Sequence, residues 1–453
     1  MLSRDRPFSG LLLDGAALNP PQSVLRRLGM GLVAAVLFLG LAEGVLRVAE
    51  GILGADWTVV PLPVPPRLNV VCEQDGLSYL CPDQGESYER VRFEVFSAKP
   101  PRPRIITIGE SFVYGLGIKS EEAWPHQLEV ALDGRAEVLN FGRCGTYASL
   151  LVPIVEAGLK LSPQIMILAI GNNEHTMTSF YTGLAGRSPA ATYRMSSRLG
   201  QMRLYGGLYS LLGRQGRATE SFDQPATSLT NEVDKQIYAT RRRPPDLSVF
   251  GKVPLAGPEV TAAIEEEQQL KEMIFRDRIT QMVETIQAAG VIPVLVTLPW
   301  DLRNPPTLSG IYEGQEEEAR SLYTAVTSGK LEDRVLMHVV EQYPRTAMFQ
   351  YTWGMSQLKQ GSPESAVKSL TQATEWDLIP DVTPALNQIT REVAWSHAVH
   401  LIEVERLGAA QLTPGTRIFL DKVHMNPEGS RVVANIMAPD VRQLLEGLGI
   451  PKG

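Results

Sequence analysis

At 453 residues the chain exceeds the roughly 100 to 200 residues expected of one domain, which predicts a main domain with additions. Hydrophobic residues make up 44% and charged residues 21%, an ordinary globular balance, and the formal net charge of -7 leaves no basic footprint for nucleic acid. No pair of cysteines or histidines has the spacing of a structural zinc site, so neither a metal nor any other cofactor is expected.

Residues 1–27 contain Arg4, Arg6, Arg26 and Arg27. From Leu28 to Leu46 the chain carries one charge, Glu43, over nineteen residues. A helix of that length nearly spans a bilayer core, so a single transmembrane helix is expected over 28–46. The arginines ahead of it, with only Arg47 close behind, predict a cytoplasmic N-terminus and an extracytoplasmic large domain, periplasmic in a Gram-negative bacterium. A cleaved signal peptide fits less well, because no small-x-small site ends the apolar run. A buried core helix is the alternative. Residues 47–103 read as spacer and lead-in: four prolines between Val59 and Leu68 suit an extended connection. Cys72 and Cys81 lie close together in a turn-rich stretch, which leaves room for one local disulfide in an oxidising compartment.

From residue 104 onward, short apolar runs alternate with amphipathic segments. Strands are expected over Ile105 to Ile108, Glu137 to Asn140, Ile165 to Ile170, Ile292 to Leu298 and His400 to Val404. Helices are expected over Glu121 to Leu132, Leu150 to Leu161, Val260 to Ala289 and Leu386 to His397. Such alternation predicts an α/β fold: a three-layer α/β/α domain around a parallel sheet. This main domain would comprise residues 104–314 and 378–453. Within it an excursion at about 176–258 has little periodicity and reads as a lid or cap; its run Arg241 to Arg243, followed by Pro244 and Pro245, reads as a solvated loop edge. Residues 315–377 read as a helical insert. Gly354, Ala366 and Ala373 stand at offsets that tetratricopeptide helix pairs use for close packing, and Pro344 falls where a preceding unit would end; an unrelated helical hairpin fits equally. With fewer than three repeats, the insert is expected to pack on the main domain, and it could also receive a protein partner.

Chemistry concentrates at the ends of the predicted strands. Ile105 to Ile118 runs from a buried strand through Gly109, Glu110 and Ser111 into a glycine-spaced turn, which exposes Ser111 at the carboxyl edge of the sheet. On this motif alone, a serine capping the next helix is the simpler reading. Three further segments change the balance. NFGRCGT, from Asn140, puts Gly145 in a tight turn where a backbone N–H can point inward. GNNE, from Gly171 to Glu174, offers the amide of Asn173. FLDKVHMNPEG, from Phe419, supplies Asp421 and His424 just before a helix. A serine nucleophile needs a base, the base needs an orienting acid, and a tetrahedral oxyanion needs fixed donors. Ser111, His424, Asp421, Gly145 and Asn173 fill those roles between them.

In these blocks the chain resembles the SGNH hydrolases, also called GDSL lipases and esterases, whose GDS, glycine, GxND and DxxH blocks read here as GES, NFGRCG, GNNE and DKVH. The resemblance covers about Arg104 to His175, then Gly290 to Leu448 with the insert set aside. It implies a flavodoxin-like sheet, with Ser111 attacking the acyl carbon, His424 taking its proton and Asp421 bonding the far ring nitrogen. It further implies an oxyanion hole made by the N–H groups of Ser111 and Gly145 and the side chain of Asn173. The segment from Gly109 through Trp124 and Pro125 looks especially like extracytoplasmic bacterial members with tetratricopeptide-like inserts. Two departures stand out, Glu110 and Glu174, where the family has aspartates; they put the local hydrogen bonding in question. His175 reads as a rim or packing residue, or a substrate contact, and Cys144 as a small turn residue.

The expected function is a membrane-anchored serine esterase acting on an acyl ester, such as an acetylated glycan or a lipid. Transfer of the acyl group to a cell-envelope polysaccharide is the alternative. A non-catalytic assembly protein working through the helical insert is the second alternative.

Overall fold

The computed structural model describes residues 30, 33, 37–48, 70–74, 77–81, 95–96, 102–174, 202, 253, 255–312, 314, 316–329, 331–380, 382–413 and 415–450. The chain divides into two compact units, Met1–Pro61 with Met195–Thr219, and Leu62–Arg194 with Glu220–Gly453. In the first, residues 37–48 are helical and Leu37, Phe38, Leu41 and Val45 stand exposed on that helix. Among the described residues, no helix is long and apolar enough to cross a membrane. Residues 28, 29, 31, 32 and 34–36 of the 28–46 stretch, nearly all of the 176–258 excursion and His175 lie outside the described residues.

The second unit begins with three antiparallel strands, β1 (Val70–Gln74), β2 (Leu77–Cys81) and β3 (Val95–Phe96). Their register sets Cys72 opposite Tyr79 and Cys81 opposite Val70. The side chains that a Cys72–Cys81 disulfide would need lie outside those described.

Among the described residues the main sheet has five strands: β4 (Arg104–Gly109), β5 (Glu137–Gly142), β6 (Ile165–Ala169), β8 (Ile292–Val296) and β10 (His400–Ile402). They are parallel throughout and lie in the order β10-β8-β6-β4-β5. The chain therefore reverses its direction of travel between β4 and β6, the kind of switch point where open α/β sheets bind ligands. Both faces are covered because successive strand residues alternate between two cores. Ile105, Ile167, Val294 and Val296 join Trp124, Leu128 and Val433 on one side, while Ile106, Ile108, Leu168 and Leu295 join Phe275, Met282 and Leu386 on the other. Burying each such side chain contributes roughly 1.5–3 kcal/mol, which explains why these runs are apolar at every position instead of every second one.

The helices facing these cores are α2 (Trp124–Ala131), α3 (Ala148–Leu159), α4 (Pro258–Ala288), α9 (Pro384–Ser396) and α11 (Pro427–Gly447), while a short α1 (Ser111–Tyr114) follows β4 directly and a short α10 (Leu407–Ala410) follows β10. The helix expected over 121–132 is broken: Ser120–Glu122 form a 3-10 turn, and α2 begins anew at Trp124 with Pro125 in its first turn. Proline there lacks only an N–H that no helical partner would take, so it starts a helix but cannot continue one. The strand expected to reach Val404 stops at Ile402, because Thr297 Oγ1 accepts the N–H groups of Val404 and Glu405 at 3.0 and 3.1 Å. A small parallel pair, β7 (Leu255–Ala256) with β9 (Ser309–Gly310), lies apart from the main sheet.

Among its described residues the insert forms four helices, α5 (Glu316–Thr327), α6 (Asp333–Gln342), α7 (Ala347–Lys359) and α8 (Pro363–Glu375). A Cβ on Gly354 would lie 2.7 Å from Leu370 Cγ, so α7 and α8 approach at a distance only glycine allows there. Ala366 and Ala373 are buried in the same contact. The insert is tied to the main domain: Tyr351 donates to Arg303 O at 2.6 Å and Trp300 Nε1 donates to Thr374 Oγ1 at 3.1 Å.

Candidate active site

Gly109, the last residue of β4, pairs with Gly142 of β5 on one side and Ala169 of β6 on the other. Three loops thus leave the same sheet edge at one level, carrying Ser111, Gly145 and Asn173. The edge is crowded by α1 turning back across it. A Cβ on Gly109 would fall 2.1 Å from Ala169 O, and one on Gly142 would fall 2.2 Å from Tyr114 N, so no larger residue fits at either place. Asn140 completes the fastening: its Nδ2 donates to Val113 O at 3.0 Å and its Oδ1 accepts from Gly142 N at 2.9 Å, joining β5 to the helix that bears the serine.

Ser111 is not a helix cap. Glu110 occupies the N-cap position, without a side-chain cap bond, and Ser111 is the first helical residue. Its hydroxyl instead lies 2.8 Å from His424 Nε2, and His424 Nδ1 lies 2.7 Å from Asp421 Oδ2. With the ring proton on Nδ1, donated to Asp421, Nε2 is left as an acceptor for the serine proton. Ser111 is buried, and the His424 side chain is only 16% exposed.

The loop of Asp421 and His424 is closed on itself. Leu420 N donates to His424 O at 2.7 Å, and Asp421 Oδ1 accepts from the N–H groups of Val423 and His424 at 3.0 and 2.8 Å. Burial pulls the Asp421 carboxyl upward, but the hydrogen bond and charge of His424 together with these N–H groups outweigh it and hold the group below the ordinary aspartate range. Helix α11 then starts cleanly, with Asn426 Oδ1 accepting from Gly429 N at 2.8 Å as the N-cap.

Gly145 adopts a left-handed φ of +69°, as the tight turn required, and Thr146 Oγ1 closes that turn onto Arg143 O at 3.0 Å. Asn173 is half buried in the loop after β6. The neighbouring Asn172 is fully buried, and its side-chain atoms have no partner among the described residues. Cys144 is half buried beside Gly145.

Glu110 and Glu174 are both buried structural members of this edge. Glu110 accepts from Gly171 N at 3.1 Å and Asn172 N at 2.9 Å, binding the block of the nucleophile to the loop of Asn173. Glu174 accepts from Ala148 N at 2.7 Å, binding that loop to the start of α3. Burial pushes both carboxyls up, Glu174 to about 7, and the charge of Glu174 raises Glu110 further.

Sequence reasoning missed Asp377 and Lys422. Asp377 follows α8 and is fully buried, accepting from Thr307 N at 2.8 Å and Leu308 N at 3.0 Å. Lys422, between Asp421 and His424, donates to it at 3.2 Å. Lys422 O in turn accepts from Asp301 N at 2.8 Å, so the triad loop is held from outside as well. Among the described residues, no group of His, Cys, Asp and Glu could hold a metal ion.

No protein-family model matches the chain, and no curated protein does. Solved structures with some likeness include a member of the lipolytic protein G-D-S-L family from Veillonella parvula, at 10% identity over 74% of this chain and 96% of that one, with a TM-score of 0.33. A lipase/acylhydrolase from Enterococcus faecalis is 11% identical over 75% of this chain and 96% of its own, with a TM-score of 0.32. A carbohydrate acetylesterase from Sinorhizobium meliloti is 9% identical over 76% and 100%, with a TM-score of 0.31. At TM-scores this low the likeness does not extend to activity, which has to be argued from the side chains at the sheet edge.

Proposed function

We propose that the chain is a serine esterase that cleaves acyl esters through a Ser111–His424–Asp421 triad. The observation that carries this reading is the line Ser111 Oγ, His424 Nε2, His424 Nδ1, Asp421 Oδ2, with contacts of 2.8 and 2.7 Å between groups 313 and 3 positions apart in the sequence. A structural serine has no use for an imidazole whose far nitrogen is bound to a carboxylate. In the reaction, His424 takes the hydroxyl proton as Ser111 Oγ bonds to the acyl carbon. The oxyanion is held by the N–H groups of Ser111 and Gly145 and by the amide of Asn173. His424 then returns the proton to the leaving alcohol, and water activated by the same base releases the acid.

The domain is anchored to a membrane by the 28–46 stretch and faces away from the cytoplasm. Support comes from the near absence of charge across those residues and from the exposed Leu37, Phe38, Leu41 and Val45 on the helical part. The four-helix insert is tetratricopeptide-like in the close approach of α7 and α8 at Gly354.

The test is labelling with a fluorophosphonate probe, together with turnover of p-nitrophenyl acetate. Both are expected with the wild type and neither with Ser111→Ala. An unlabelled, inactive wild type whose partner binding survives Ser111→Ala would favour the assembly role instead. Acyl transfer to an added polysaccharide faster than to water would redefine the enzyme as a transferase.

A further inference from the structure

The turn that carries Asp421 and His424 has its shape fixed from within. Phe419 bridges Met425 across it, and His424 O and Asp421 Oδ1 accept N–H groups of the same turn. Those bonds do not set how far the turn stands from Ser111, which lies at the end of a different strand. Apart from the Ser111 hydroxyl, the polar contacts that reach residues 420–424 from other described segments fall on Lys422. Its carbonyl accepts Asp301 N at 2.8 Å, and its ammonium donates to Asp377 Oδ2 at 3.2 Å.

Both partners belong to the foot of the helical insert. Asp301 lies ahead of the insert and accepts from Arg303 Nε at 3.0 Å and Nη2 at 2.9 Å, while Arg303 O accepts Tyr351 Oη of α7 at 2.6 Å. Asp377 follows α8, and its carboxylate accepts the N–H groups of Thr307 and Leu308, with Leu378 N donating back to Leu308 O at 3.0 Å. Ser309 Oγ accepts Met348 N at 3.1 Å, at the start of α7. The segments that enter and leave the insert are thus stitched to each other, to α7, and to the residue between the acid and the base. Asp377 is fully buried and the Lys422 side chain is 15% exposed, so neither charge can move away without stranding the other, and the contact holds one position.

We propose that Lys422 is a positioning residue through which the foot of the helical insert sets where the Asp421–His424 turn stands relative to Ser111, making the insert a working part of the esterase. The inference rests on the esterase reading above.

The test is kcat and KM for p-nitrophenyl acetate, with the rate of fluorophosphonate labelling, for wild type, Lys422→Met and the double variant Lys422→Met with Asp377→Asn. Thermal unfolding confirms that each is folded at the assay temperature. A shift of about 1 Å in a reacting group can lower the rate about 10²-fold. Lys422→Met is therefore expected to lose about 10- to 100-fold in kcat and in labelling rate, with KM changed less than about 2-fold. The double variant separates positioning from stability. It strands no charge and so regains stability, but the link is still missing, so its kcat stays as low as that of Lys422→Met. If Lys422→Met does not fold, the double variant alone carries the comparison with wild type. A kcat within about 2-fold of wild type in either folded variant, a kcat that recovers in step with stability, or a loss carried by KM overturns the positioning role and leaves the esterase reading standing. A wild type with neither turnover nor labelling overturns the esterase reading, and the role of Lys422 with it.

Discussion

Lys422 Nζ lies 3.2 Å from Oδ2 of Asp377, which joins the end of the helical insert to the middle of the loop that holds Asp421 and His424. Asp377 is fully buried, and the Lys422 side chain is 15% exposed. Removing one member of a buried pair costs about 3–5 kcal/mol, because the other charge stays buried and uncompensated. Here the N–H groups of Thr307, Leu308 and Ile379 still serve the Asp377 carboxylate, so the lower part of that range is expected for Lys422→Met. The double variant with Asp377→Asn should lose less than the sum of the two singles, since no unpaired charge remains. Urea unfolding of the four proteins measures the coupling. Strict additivity would mean that the contact is incidental.

The triad members should not be equivalent. His424→Ala removes the base and is expected to lower kcat by ~10⁴-fold or more. Asp421→Asn should leave more activity and an intact loop, because an amide oxygen can still accept from Val423 N and His424 N. Its NH2 group would then face His424 Nδ1, forcing the proton onto Nε2 and closing it to Ser111. Single-turnover acylation by a chromogenic acetate separates the two variants. Equal losses would mean that Asp421 does more than orient the ring.

How far the site was legible in the sequence depended on whether each residue's role is local. Ser111, Gly145 and Asn173 each follow an unbroken apolar run, and parallel strands deliver all such run ends to one edge. Asp421 and His424 sit three apart before a capped helix, a spacing that a tight turn brings into contact. The last strand's limit failed because a side chain far away decided it: Thr297 Oγ1 ends that strand at Ile402. Lys422 could be read past because its partner lies 45 positions upstream, at the end of another segment. Glu110 and Glu174 were visible only as departures from a pattern. What they hold consists of backbone N–H groups, which leave no trace in sequence.

Gly145 offers a conformational test that does not touch the triad. Nothing lies within 4 Å of a Cβ placed on it, so space is not the constraint; the left-handed φ of +69° is. An alanine there costs about 1–2 kcal/mol in that conformation, and asparagine costs less because its side chain tolerates it. Gly145→Asn should therefore keep more stability and activity than Gly145→Ala, with Gly145→Val the poorest. Thermal midpoints and kcat for the series check the order. Alanine and valine variants as active as the wild type would remove this turn from the oxyanion hole.

The same buried carboxyls make stability depend on pH in two opposite directions. Asp421 is held low in the folded state, so its contribution is present above the ordinary aspartate range and is lost as pH falls below it. Glu110 and Glu174 are held high, chiefly by burial, so the folded state keeps protons that the unfolded chain has released. Stability then declines as pH rises from the ordinary glutamate range, near 4.5, through about 7. Glu267, Glu272 and Asp301, also raised by burial, act in the same sense. The expected result is a stability maximum on the acid side of neutrality and a fall toward pH 8. Glu174→Gln should flatten that fall by an amount on the order of a few kcal/mol, since each retained proton is worth about 1.4 kcal/mol per pH unit. Unfolding midpoints from pH 4 to 9 measure both slopes. A wild type that grows steadily more stable from pH 5 to 8 would contradict protonated carboxyls at this edge of the sheet.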